Sequence, residues 1–190
     1  HKFNFLTKIN KKYGNFNVGW VTFKRDANGL TCLNDWSDKC LDWCYQKLEK
    51  NRYADQKYLD YWQKDFKNIK VISNIGANVA IWNIKNYKIS KRDNKIYIDD
   101  FPLIFYHFAN LKQLSKNSFS TSLSRVFVSC KGLLKNEIYL PYLKEFLNHQ
   151  NHDSISISKK DLHSKGFITF IRNYSRKVRL FFYNDIIKID

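Results

Sequence analysis

Phe16-Asn17-Val18-Gly19-Trp20-Val21-Thr22-Phe23 is the stretch on which the fold class turns. Phe16, Val18, Trp20 and Val21 read as a buried strand, and Gly14 with Asn15 supplies the turn before it. After Lys24-Arg25-Asp26 the period changes. Leu30, Leu33, Cys40, Cys44 and Leu48 recur at helical intervals, with Trp36 and Trp43 widening the stripe, which predicts an amphipathic helix over about 28–48. A second helix is expected from Tyr53 to about Lys64. The switch from strand period to helix period marks an α/β chain.

Working outward, Ile69-Lys70-Val71-Ile72 reads as a short strand, followed by an irregular stretch over Asn74-Ile75-Gly76-Ala77-Asn78. Lys95-Ile96-Tyr97-Ile98 and Leu103-Ile104-Phe105-Tyr106 read as the arms of a hairpin, with Asp99-Asp100-Phe101-Pro102 as its turn. Ser115 to Ser122 is small and polar and reads as a loop or boundary. A helix is expected over about 136–149, with Pro141 near its first turn. Asn151 to Lys160 is polar again, and the last thirty residues alternate well enough for one or two strands. The expected division is therefore 1–114 and 115–190.

The composition narrows the function classes. The chain has 190 residues with 44% hydrophobic content, one domain's worth and enough for a real core. No apolar run approaches the ~18 residues of a membrane span, so a cytoplasmic location is expected. The basic excess, 33 against 17 acidic residues, gives a net charge of +16 and raises nucleic acid or an anionic membrane surface as partners. The charge is spread along both halves with no block of like charges, and Lys outnumbers Arg 26 to 7. That pattern argues against a nucleic-acid arm. The methionine count is zero and the chain opens on His1, so an upstream portion is expected.

Cys32, Cys40, Cys44 and Cys130 lack disulfide or metal-site spacing and read as reduced, packed thiols. Four other places can carry chemistry. Asn17 and Gly19 are poor strand residues, and they serve either a close ligand approach or a bulge. Asp55 and Gln56 open a helix, where a carboxylate also suits the macrodipole. Trp82 and Asn83 offer a stacking face beside an amide, or a buried ring beside a turn residue. His107, after an apolar run, is either a structural imidazole or a ligand.

In order, Asn15 to Phe23, Tyr53-Ala54-Asp55-Gln56-Lys57-Tyr58-Leu59, Gly76-Ala77-Asn78-Val79-Ala80-Ile81-Trp82-Asn83 and Pro102-Leu103-Ile104-Phe105-Tyr106-His107-Phe108 resemble a known family. They look like the C-terminal part of a nucleotide-diphospho-sugar transferase, a GT-A-type glycosyltransferase similar to the family-8 enzymes. The resemblance covers about residues 1–112, and residues 134–147 are similar to the closing helix of such proteins. It implies an α/β fold whose mixed sheet carries flanking helices.

The resemblance also implies roles. His107 matches a metal ligand for Mn²⁺ or Mg²⁺, and Asn17 with Gly19 matches the segment along the donor sugar. Asp55 and Gln56 match residues nearest the anomeric carbon and are the expected catalytic pair. Trp82 and Asn83 match the acceptor side, and Lys112 matches a residue on the diphosphate. Two departures stand out: Ala109-Asn110 follows the histidine where the family has glycine, and no Asp-x-Asp precedes the Asn-x-Gly segment. The nucleotide-binding half is expected to be missing, with its metal-holding carboxylates. The implied partners are a nucleotide-sugar donor and a glycan, lipid or protein acceptor, with peripheral attachment to an anionic membrane also expected. The 190-residue piece alone is expected to be inactive. The alternative is a non-catalytic basic module that binds nucleic acid or anionic surfaces through its aromatics, which make up 17% of the chain.

Overall fold

A computed structural model describes residues 12–150 and 178–189. The chain forms two compact units, His1–Ser73 and Asn74–Asp190. The boundary thus falls well before residue 115, where the small polar stretch suggests it. The architecture mixes helix and sheet.

In the first unit, helix α1 covers Ala27–Asp42. Asp26 caps it, its carboxylate accepting the Gly29 N–H at 2.9 Å. That bond, ahead of Lys24, holds the Asp26 carboxyl below its ordinary pKa. The helix stops earlier than the apolar stripe predicts, because Trp43 turns to an extended conformation. Its ring lies 4.9 Å from the Arg52 guanidinium, and its carbonyl accepts the Tyr58 hydroxyl at 2.7 Å. Leu41, in the last turn of the helix, is 83% exposed. The second expected helix is also shorter. Tyr53 to Gln56 forms a turn, a 3-10 segment covers Lys57–Tyr61, and helix α2 is the single turn Trp62–Asp65.

Phe16 to Phe23 is a run of turns and bends rather than a strand, and Ile69 to Ile72 is also irregular. The physical reason is shared. A strand needs a partner for its N–H and C=O groups, and the described part of this unit has only the isolated bridge Glu49↔Arg52. The apolar residues are still used. Phe16, Val18, Val21, Phe23, Trp36, Phe66 and Ile69 pack around buried Cys32, Leu59 and Trp62. Trp20 is half exposed instead.

The second unit carries the sheets. Strands β1 (Val79–Ala80) and β5 (Tyr106–His107) pair in parallel, with Ala80 opposite His107. Strands β2 (Ile89–Arg92), β3 (Lys95–Ile98) and β4 (Phe101–Pro102) form an antiparallel meander. Asp93 and Asn94 both have positive φ, as a two-residue hairpin turn requires. The expected 95–98 hairpin exists, but its return arm is Phe101–Pro102 and its turn is only Asp99-Asp100. Leu103 still donates its N–H to Ile96 O of β3 at 2.8 Å, but Ile104 and Phe105 leave the sheet because Gly76 captures them: its carbonyl accepts their N–H groups at 2.9 and 3.3 Å. A Cβ on Gly76 would stand 1.9 Å from the Pro102 carbonyl oxygen.

Ser115 to Ser122, expected as a loop, is mostly hairpin. Strands β6 (Lys112–Ser115) and β7 (Ser118–Ser120) pair antiparallel, and β8 (Ile186–Lys188) joins on the far side of β7. The closing helix begins as a π-helical stretch, Leu134–Tyr139, and continues as α3, Leu140–Gln150. The Leu140 N–H reaches back five residues to Lys135 O. Pro141 explains the widened turn, since its ring clashes with the carbonyl four residues back and lacks the N–H for it. The unit's core holds Ile98, Phe119, Leu123, Tyr139, Leu143 and Ile187.

The polar stretch 151–160 and most of the last thirty residues lie outside the described residues; those described beyond it contribute a helical turn and β8. Among the described residues, no helix is long and apolar enough to cross a membrane.

Candidate functional site

Asn17, Gly19, Asp55 and Gln56 lie in the first unit, and Trp82, Asn83, His107 and Lys112 in the second. Asn17 and Gly19 are half-buried in the irregular segment. Asp55 follows Ala54, which sits at φ 46, a left-handed conformation that costs a non-glycine residue about 1 kcal/mol or more. The turn is held from both sides. The Ala54 N–H donates to Tyr45 O at 3.0 Å, and the Trp36 indole N–H donates to the Asp55 carbonyl at 2.9 Å. The Asp55 backbone is thus fixed while its carboxylate has no hydrogen-bond or ion-pair partner among the described residues.

Gln56 is spent differently. Its side-chain amide donates to Tyr13 O at 2.9 Å, tying this turn to the segment before Gly14. Asp60 adds a second tie, accepting the Asn15 N–H at 2.6 Å and the Lys57 ammonium at 2.8 Å. Lys57 and Asp60 are largely buried together. The sequence offers no sign of that pair's role, because its third member is a backbone group 45 residues away.

In the second unit, the bend after Gly76 and the β1–β5 pair gather Asn78, Trp82, Asn83 and His107. The Asn83 side chain bridges the bend with both ends: its oxygen accepts the Ala80 N–H at 2.8 Å and its amide donates to Asn78 O at 3.1 Å. Asn78 holds φ 62, a conformation asparagine tolerates better than most residues. Its side-chain oxygen lies 3.3 Å from Nδ1 of His107. The Trp82 ring meets the imidazole nearly edge-on, 5.1 Å between centroids at 82°. His107 Nε2 has no partner among the described residues. Lys112, on β6, is exposed and makes no ion pair among them.

His107 is a chemically suitable donor for a divalent ion. Among the described residues, however, no group of three or more His, Cys, Asp or Glu side chains is placed to hold one. The fit is therefore that of one ligand, whose companions would have to come from elsewhere. The thiols do not supply them. Burial pushes the Cys40 thiol up to about 11, helped by Cys44, and Cys130 up to about 12, helped by Asp185. Both remain protonated near neutrality, unlike a metal-bound or nucleophilic thiolate. Cys44 lies beyond the end of α1, so the helical-turn spacing of Cys40 and Cys44 does not place them on one helix face.

Nothing in the sequence singles out Asn78 or Asp185. Buried Asp185 accepts the Ser120 and Thr121 hydroxyls at 2.9 and 2.7 Å and the Ser124 N–H at 3.1 Å. A separation of more than sixty residues leaves no local pattern to find it by.

Over 109 residues the chain is 37% identical to the uncharacterized protein YfnD of Bacillus subtilis (strain 168), covering 56% of this chain and 35% of that one. It is 36% identical over 113 residues to the uncharacterized protein YfnF of the same organism, covering 59% of this chain and 37% of that one. The chain thus spans little more than a third of the length of these curated relatives. No family model matches it. No solved structure matches it either.

Proposed function

We propose that this chain is part of a GT-A-type glycosyltransferase, moving a sugar from a nucleotide-diphosphate donor to a glycan, lipid or protein acceptor. The observation that supports it best is the group of Asn78, Trp82, Asn83 and His107, where the motif residues of the resemblance meet around one imidazole. A half-buried imidazole with one nitrogen engaged and the other without a partner among the described residues suits a ligand better than a packing role.

His107 would supply one nitrogen to Mn²⁺ or Mg²⁺, and the ion when bound would act as a Lewis acid for the departing diphosphate. The Asp55 carboxylate, unpartnered among the described residues on a fixed backbone, is suited to accept sugar hydroxyls or a proton. Gln56 has its amide nitrogen committed to Tyr13, which leaves its side-chain oxygen as the atom for a donor hydroxyl. Trp82 would close one side of the imidazole and exclude water there, while Asn83 shapes the bend that carries it. The exposed ammonium of Lys112 is suited to diphosphate charge.

The test is release of nucleoside diphosphate from a panel of nucleotide sugars with Mn²⁺, by protein that carries these residues together with a nucleotide-binding half. Release that depends on His107 is expected. No release across the panel would overturn the reading. The 190-residue chain alone is expected to show no turnover in the same assay.

A further inference from the structure

A neutral imidazole has one N–H and one bare nitrogen, and the partner of the first decides which nitrogen is bare. A carboxamide oxygen can only accept, so the 3.3 Å approach of Asn78 Oδ1 to His107 Nδ1 is a hydrogen bond only when Nδ1 carries the proton. We propose that Asn78 is the positioning residue of His107: it holds the Nδ1–H tautomer and leaves the Nε2 lone pair bare for a divalent cation. The inference rests on the metal-assisted reading above for the identity of the ligand, and on geometry alone for the tautomer.

Three features keep Asn78 at this task. The left-handed backbone at Asn78 sets where its side chain starts. The Asn83 side chain holds the Asn78 carbonyl at 3.1 Å and the Ala80 N–H at 2.8 Å, so the bend cannot open without losing both bonds. The β1–β5 register sets Ala80 opposite His107, which fixes the strand spacing across which Asn78 reaches. Trp82 then limits rotation of the ring. Ligand histidines commonly donate their second ring N–H to a fixed acceptor, which orients the ring and raises the basicity of the ligating nitrogen.

The experiment is nitrogen-15 spectroscopy of the 190-residue chain labelled in its histidine rings, at a pH where the imidazoles are neutral. The resonances of His107 are assigned by their loss in His107→Gln. The expected spectrum shows a protonated Nδ1 and a bare Nε2. Asn78→Gly, which tolerates the left-handed backbone but removes the acceptor, should shift the population toward the Nε2–H tautomer. Asn78→Asp, which keeps an acceptor, should retain Nδ1–H. A wild-type ring protonated mainly on Nε2 overturns the proposal, as does an Asn78→Gly spectrum unchanged from wild type. Sugar transfer plays no part in this readout, so the tautomer assignment and the transferase reading fail separately.

Discussion

A buried carboxylate with no ion-pair partner must be solvated by hydrogen bonds, and Asp185, which has no such partner among the described residues, is solvated by two hydroxyls and one backbone N–H. Removing it would leave buried Ser120, Thr121 and Ser124 donors without their acceptor. Asp185→Ala is therefore expected to lower stability by about 3 kcal/mol, read as a shift of the denaturant midpoint. The same reasoning separates Asp55 from it. The Asp55 carboxylate carries no such bonds among the described residues, so Asp55→Asn should leave the denaturant midpoint nearly unchanged. On the transferase reading proposed above, in protein that also carries a nucleotide-binding half, it should cut turnover by a factor of about a hundred or more, as for a lost general base. On the same reading, His107→Ala should raise the Mn²⁺ concentration needed for half-maximal activity. Wild-type kinetics for both variants would overturn these assignments.

Elements form here where a partner is at hand. The Lys95–Ile98 strand and the closing helix are legible in the sequence because their neighbours lie within a few residues, at the Asp93-Asn94 and Asp99-Asp100 turns and along the helix itself. Phe16 to Phe23 has an equally strong apolar pattern, yet pattern alone cannot show whether an adjacent strand exists to receive it. The candidate residues can be named from the sequence by type, whereas the contacts among them cannot. Asn78 meets His107 only because β1 and β5 pair across a separation that no spacing rule spans. Gly76 is the element-scale test of that pairing. Gly76→Ala would drive a Cβ into the Pro102 carbonyl, so a loss of about 3 kcal/mol is expected, with the His107 resonances shifting as the β1–β5 pair gives way.

For the whole molecule, alkaline pH is the informative variable. Burial raises the Tyr106 hydroxyl to about 12 and the Cys130 thiol to about 12, and it raises Tyr139, bonded to Tyr106 at 3.1 Å, further. Folded protein thus keeps protons that the unfolded chain releases from about pH 9 upward, so the unfolded state is favoured as pH rises toward about 12. Melting temperature should fall steadily over that window, and a flat profile would contradict the burial of these groups. The net charge of +16 enters separately. With its basic residues dispersed, the chain is expected to show no binding to an unspecific oligonucleotide even at low salt, and steep salt-dependent binding would favour the basic-module alternative. The sheet of β6, β7 and β8 has a further consequence, in the order of assembly. The β2–β3 and β6–β7 hairpins close over a handful of residues, on the order of microseconds, whereas β8 pairs with β7 across a sequence separation of more than sixty residues. In refolding, the Thr121 amide, bonded to the Asp185 carbonyl, is expected to gain exchange protection after the amides of β3.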